Sequence, residues 1–168
     1  MLSNPSREQN HLTTLTSYPL SLPGRVYGSA MPFGLYDPDG TLLPKFRAAS
    51  IHGVVLLAEP DECREKTGRD LLAIYRDEGL AVLPLPIPNY GIPVDGGVSD
   101  VLKQAHEQAA QGQNLLIHCS AGLGRTALFA TLLARYVLGL SGPDALAWLG
   151  RHQPGALLTP AQIMLIMA

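Results

Sequence analysis

The residues best suited to chemistry lie in one uninterrupted run. Leu115-Leu116-Ile117-His118-Cys119 leads into Ser120-Ala121-Gly122-Leu123-Gly124, and Arg125-Thr126 follows. The apolar residues before His118 read as a buried strand, and the segment from Gly124 to about Leu138 as a helix. Cys119 therefore stands where a strand hands over to a helix N-terminus. Main-chain N–H groups there lack helical partners and carry the positive end of the helix dipole. Such a turn makes a nest for a tetrahedral anion, and its field favours thiolate over thiol. Ser120, Ala121, Gly122, Leu123 and Gly124 would supply the nest. Arg125 adds a planar fork able to take two oxygens of one phosphoryl group. A sulfur nucleophile, an oxyanion nest and a bidentate cation this close together suit attack on phosphorus.

Positioning these groups requires an ordered domain. The chain has 168 residues, of which 46% are hydrophobic and 15% charged, enough for one domain with a substantial core. A net charge of −2 argues against nucleic acid or membrane partners. Two cysteines, Cys63 and Cys119, do not make a disulfide framework, so a reducing cytoplasm is expected. No basic-then-apolar leader is evident at the N-terminus, and the final apolar stretch from Ile163 is too short to span a bilayer.

Residues 1–21 are polar and aperiodic and read as a flexible arm, leaving 22–168 as the domain. Val26-Tyr27 reads as a short edge strand, Val54 to Leu57 and Leu80 to Leu85 as further strands, and Val98 to Ala109 as a helix. Asp37-Pro38-Asp39-Gly40 reads as a solvated turn. Glu59 and Asp61 close a strand, where ligands gather in open α/β sheets, but Asp61 reads better as a helix cap. Cys63 reads as a plain thiol, with a reversible disulfide to Cys119 as the alternative. Ser141 opens a helix carrying Trp148 as a core anchor, and Thr159-Pro160-Ala161-Gln162 is a capping box with proline at the first helical position. Strand and helix alternation predicts a single α/β domain with a mainly parallel central sheet of four to five strands flanked by helices.

His118 to Thr126 resembles the signature His-Cys-x-x-Gly-x-x-Arg-Ser/Thr of the cysteine-dependent protein phosphatases, and the chain as a whole is similar to their compact, dual-specificity-like archaeal and bacterial members. The resemblance implies the cysteine-phosphatase fold and hydrolysis of phosphotyrosine, with phosphoserine and phosphothreonine as further substrates, through a phosphocysteine. It implies that the Thr126 hydroxyl supports the sulfur as leaving group, that His118 shapes the loop, and that a glutamine at the position of Gln162 orients the hydrolytic water. Gln162 is explained equally well by its capping box. One departure stands out. Relatives carry Pro-Ile-x-Asp with the aspartate as general acid, whereas the matching run is Pro86-Ile87-Pro88-Asn89. An amide cannot serve as that acid. Asp95 in the same loop could supply the proton, and a turn or capping role explains it as well. The enzyme could instead work on esters whose leaving group departs easily, or the chain could bind phosphate and turn over poorly, as a pseudophosphatase or binding module. Asp95 is the acid we expect. No metal or other cofactor is expected. The expected partners are phosphorylated proteins or small aryl phosphates, bound by a monomer.

Overall fold

The computed structural model describes residues 13–94 and 96–168. Five strands form one sheet in the order β1-β2-β5-β3-β4, where β1 is Thr16–Tyr18, β2 Val26–Ser29, β3 Ile51–Leu56, β4 Ala81–Pro84 and β5 Asn114–His118. Only the β1–β2 pairing is antiparallel. Among the described residues the helices are α1 Leu42–Ala48, α2 Pro60–Thr67, α3 Leu71–Asp77, α4 Val98–Ala110, α5 Arg125–Leu138, α6 Gly142–His152 and α7 Pro160–Met167. The single α/β domain with a mainly parallel sheet is the architecture anticipated from the sequence.

Strand β5 is central because it is apolar on both faces. Side chains alternate across a strand, so Leu115 and Ile117 enter one core with α4, α5 and α6, while Leu116 enters the other with α1 and α3. A parallel strand covered by helices on both sides needs such a continuous apolar run. Helix α5 is correspondingly buried over most of its length, from Arg125 to Ala134. The parallel strands β2, β5 and β3 end side by side at Ser29, His118 and Leu56, which gathers three loop segments at one edge of the sheet.

Several local expectations shift. The arm is shorter than residues 1–21, because β1 pairs with β2 and buries Tyr18 and Leu20; residues 1–12 lie outside the described residues. Three residues of mixed polarity carry no period of their own, so β1 is a strand only through that pairing. It also displaces Val26-Tyr27 from the sheet edge. The cap of α2 is Glu59 rather than Asp61, in a reciprocal box with Glu62. Trp148 is buried as anticipated and stacks on Tyr18 with ring centroids 5.9 Å apart.

Asp37 is not solvated. It is buried and accepts hydrogen bonds from the Thr41 N–H and hydroxyl and from the Leu42 N–H, at 2.6 to 3.0 Å, and so serves the start of α1. Replacing it by alanine strands those donors, so Asp37→Ala should lower unfolding free energy by about 2 kcal/mol, read as a reduced urea midpoint with an unchanged slope.

Candidate active site

The loop after β5 is built from its carbonyls. The Cys119 carbonyl accepts from His118 Nδ1 at 2.9 Å. The Ser120 carbonyl accepts from the Met31 N–H at 2.9 Å, the Leu123 carbonyl from the Leu157 N–H at 2.7 Å, and the Gly124 carbonyl from the Leu128 N–H at 2.8 Å. Gln153 Nε2 donates to the Gly122 carbonyl at 2.8 Å. A trans peptide sets its C=O and the following N–H on opposite sides, and no cis bond occurs among the described residues. Carbonyls tied outward therefore turn the N–H groups of Ser120, Ala121, Leu123, Gly124 and Arg125 towards the hollow of the turn.

Gly122 makes this path possible. Its φ is +78°, and a Cβ there would lie 2.5 Å from the Ser29 carbonyl oxygen at the end of β2. Both the left-handed backbone and the close approach require glycine. Gly122 faces the sheet, whereas Cys119, Ser120, Ala121, Leu123, Gly124 and Arg125 line a cavity of about 320 Å³ together with Lys66, Asn89 and Gln162.

The Cys119 thiol is almost fully buried at the floor of this cavity and accepts a hydrogen bond from the Thr126 hydroxyl at 3.2 Å. His118 is fully buried and makes two hydrogen bonds that fix its tautomer. A carbonyl only accepts, so Nδ1 carries the proton given to Cys119; Nε2 then accepts from the Tyr75 hydroxyl at 2.7 Å. Burial, with a smaller contribution from the Arg125 charge, pulls the imidazole down to about 4. The ring is neutral at pH 7 and holds the loop.

Arg125 is 2% exposed. Its Nη1 and Nη2 donate to the two carboxylate oxygens of Glu62 at 2.7 and 2.6 Å, and Nη1 also donates to the Ile87 carbonyl at 2.9 Å. Three of five guanidinium donors are thus engaged. The Nε–H and the second Nη2–H form the side edge of the fork, and the guanidinium also interacts with the Cys119 sulfur. Glu62 also receives Lys66 Nζ at 2.8 Å. Burial works to raise the Glu62 carboxyl, but the hydrogen bonds from Arg125 and Lys66 prevail and hold it at about 2.

Glu62 is the functional side chain that sequence reading passed over in favour of its neighbours Glu59 and Asp61. Its signal was Pro60 at the first helical position, which fixes the helix phase and puts Glu62 and Lys66 four residues apart on one face. Gln153 and Tyr18 were also missed. The Tyr18 hydroxyl donates to Gln153 Oε1 at 2.5 Å, behind the Gly122 carbonyl, and burial raises its phenol.

The remaining candidates divide. Gln162 closes the capping box with Thr159, lines the cavity, and donates through Nε2 to the Gly91 carbonyl at 2.9 Å. Asn89 is at the cavity wall and exposed, in a turn closed by the Gly91 N–H and the Pro88 carbonyl at 2.8 Å. Asp95 lies outside the described residues. Cys63 lines a different, smaller cavity with Leu56, Leu71 and Pro84, and burial, then the Glu62 charge, pushes its thiol up to about 11. It is a protonated thiol at neutral pH, and both cysteines are free. Among the described residues no group of three or more His, Cys, Asp and Glu side chains is placed to hold a metal ion.

A thiol under a ring of inward N–H groups, with the free edge of a buried guanidinium beside it, defines a site for a tetrahedral oxyanion within reach of sulfur. The family follows from the sequence: residues 44–164 match PTP-SAK, the Swiss Army Knife protein DSP-PTPase phosphatase domain, and the chain belongs to that family. Cyclin-dependent kinase inhibitor 3 of Rattus norvegicus is 27% identical over 100 residues, which cover 60% of this chain and 47% of that protein. The chain thus spans about half the length of the curated relatives it matches. The crystal structure of Tk-PTP in the active form shares 28% identity at a TM-score of 0.72, covering 90% of this chain and 95% of that one. Kinase associated phosphatase, solved with serine in place of its catalytic-site cysteine, shares the fold at a TM-score of 0.81 and 19% identity, covering 91% of each chain.

The buried neutral imidazole has a consequence for stability. The unfolded chain takes up a proton near pH 6.5 and the folded one only near pH 4, so stability is complete above pH 6.5 and is lost as pH falls towards 4. The loss attributable to His118 is about 3 kcal/mol. Denaturant unfolding at pH 7.5 and pH 4.5 should show most of it, and His118→Gln should remove that pH dependence.

Proposed function

We propose that the protein hydrolyses phosphotyrosine, and with it phosphoserine and phosphothreonine, in protein substrates through a phosphocysteine at Cys119. The observation that carries the reading is the convergence of the Cys119 thiol, the inward N–H groups and the free edge of Arg125 on one cavity. Membership of a phosphatase family and the description of kinase associated phosphatase as a cysteine enzyme support it.

In the first step the sulfur attacks phosphorus, an S–P bond forms and the P–O bond to the side chain breaks. Negative charge grows on the equatorial oxygens, where the N–H groups of Ser120, Ala121, Leu123, Gly124 and Arg125 and the Arg125 fork meet it; such preorganised donors usually give the largest share of catalysis. Thr126, donating to sulfur, stabilises the thiolate as it is released in the second step. Gln162, at the cavity wall, is the proposed orienter of the water that hydrolyses the phosphocysteine. Asp95 is the proposed acid for the leaving oxygen, since the amide of Asn89 cannot give up a proton. The chemistry uses side chains and main chain alone. A reducing cytoplasm is the proposed setting, in keeping with two free cysteines, and a monomer the proposed unit, and no helix among the described residues is long and apolar enough to cross a membrane.

Asn89 supports a second reading, a weak or inactive phosphatase that binds phosphorylated partners. Rapid mixing with an aryl phosphate separates the two. The enzyme reading expects a burst of phenol close to the enzyme concentration, a trappable phosphocysteine, and loss of both in Cys119→Ser; oxyanion binding without a burst supports the second. A general acid contributes about a hundredfold or more. Asp95→Asn should therefore slow a phosphotyrosine ester by at least that factor and an activated ester far less. A gain of rate in Asn89→Asp would instead mark the native site as impaired.

A further inference from the structure

The cavity has a polar floor and an apolar rim. Leu35, Tyr36, Tyr90 and Leu157 come from three separate segments to line it, yet Leu35 and Leu157 are each 67% exposed and Tyr90 is 76% exposed. Apolar side chains held in water around one cavity mark a contact surface. Tyr90 adds a second, independent sign. Its φ of +62° is a left-handed conformation that an aromatic residue rarely adopts. The hydrogen bonds across Pro88 to Gly91 and from Gln162 to the Gly91 carbonyl hold it there. A strained, exposed aromatic beside an anion site points to a ligand that touches it.

Charge narrows the ligand further. The cations among the described residues lining the cavity are Arg125 and Lys66, and both are paired with Glu62. Around Glu62, the start of α2 and its cap expose Glu59, Asp61 and Glu65, which line a neighbouring hollow, and one basic side chain, Arg64. Three carboxylates against one guanidinium leave this surface net negative, which disfavours an acidic peptide flank reaching it, and equally the face of an anionic membrane. The loop side chains Ser120, Ala121 and Leu123 offer no charge to a second phosphate.

We infer that the substrate is a phosphopeptide whose residues next to the phosphorylated one are apolar, seated on Tyr90, Leu157, Leu35 and Tyr36, and that acidic flanks are rejected. This deepens the functional reading and rests on the same cavity being the phosphate site. The apolar flanks lose exposed surface against the rim while the phosphate enters the turn, so preference appears in binding as well as in turnover.

The test is calorimetric binding to Cys119→Ser of two phosphotyrosine peptides that differ only in having leucine and valine, or glutamate, on both sides of the phosphotyrosine. The apolar peptide should bind at least fivefold tighter. Tyr90→Gly, which also relieves the backbone, and Leu157→Ser should each bring the ratio towards one. The ratio of kcat/KM for the same peptides in the native protein gives the same reading without the cysteine substitution. Equal or tighter binding of the glutamate peptide overturns the inference, as does preferential binding of phosphoinositide-containing vesicles over both peptides. Binding with the expected preference but no turnover of peptides or aryl phosphate by the native protein overturns the hydrolytic reading and leaves this inference standing.

Discussion

The ion pair between Arg125 and Glu62 is the constraint on which the rest of the site depends. A guanidinium only 2% exposed has lost nearly all its hydration, and a charge in that position persists only when it is paired and hydrogen-bonded. Glu62 meets it with two oxygens, and the Ile87 carbonyl takes a third donor. Taking away the carboxylate would leave a buried charge uncompensated, at a cost of about 3 kcal/mol or more. The pairing also decides direction. Because the end of the fork is committed to Glu62, its side edge is the part offered to a ligand. The pair joins α2 to the first residue of α5, so elements separated by 63 positions are fixed together at the sheet edge.

Around that pair the loop is held by what it gives away. Its carbonyls are bound by β2's outgoing segment at Met31, by Gln153 just past the end of α6, by the segment at Leu157, and by His118 itself. None of these partners need touch a substrate, yet each turns a peptide dipole inward. The arrangement is set by hydrogen bonds within the chain, and dipoles oriented in advance stabilise developing charge without reorganising. His118 contributes because it is uncharged: a buried imidazolium beside Arg125 would add a second positive charge and lose the acceptor that Tyr75 requires.

The sequence reading of secondary structure was accurate where an element is written in a few consecutive residues. The run from Leu115 to Thr126 carries its own strand, turn and helix start, and the N-cap at Ser141 and the capping box at Thr159 declare their helices by local hydrogen bonding. It failed where position depends on distant contacts. Tyr18 and Gln153 are 135 residues apart and Tyr75 and His118 are 43 apart, and nothing near any of them announces the meeting. Asp37 resembled a surface turn because its burial comes from the packing of α1. Glu62 was passed over beside Glu59 and Asp61 because the phase of α2 decides which carboxylate faces Arg125. Asn89, an amide, stands at the cavity wall, and Asp95, the acid expected from the sequence, lies outside the described residues.

A crystal structure of the native protein with tungstate tests the central claim most directly. The account predicts the ion in the turn after β5, within hydrogen-bond distance of the N–H groups from Ser120 to Arg125, with Arg125 donating through Nε and Nη2 while its bonds to Glu62 stay in place. An ion bound elsewhere, or an Arg125 that must release Glu62 to reach it, would contradict it.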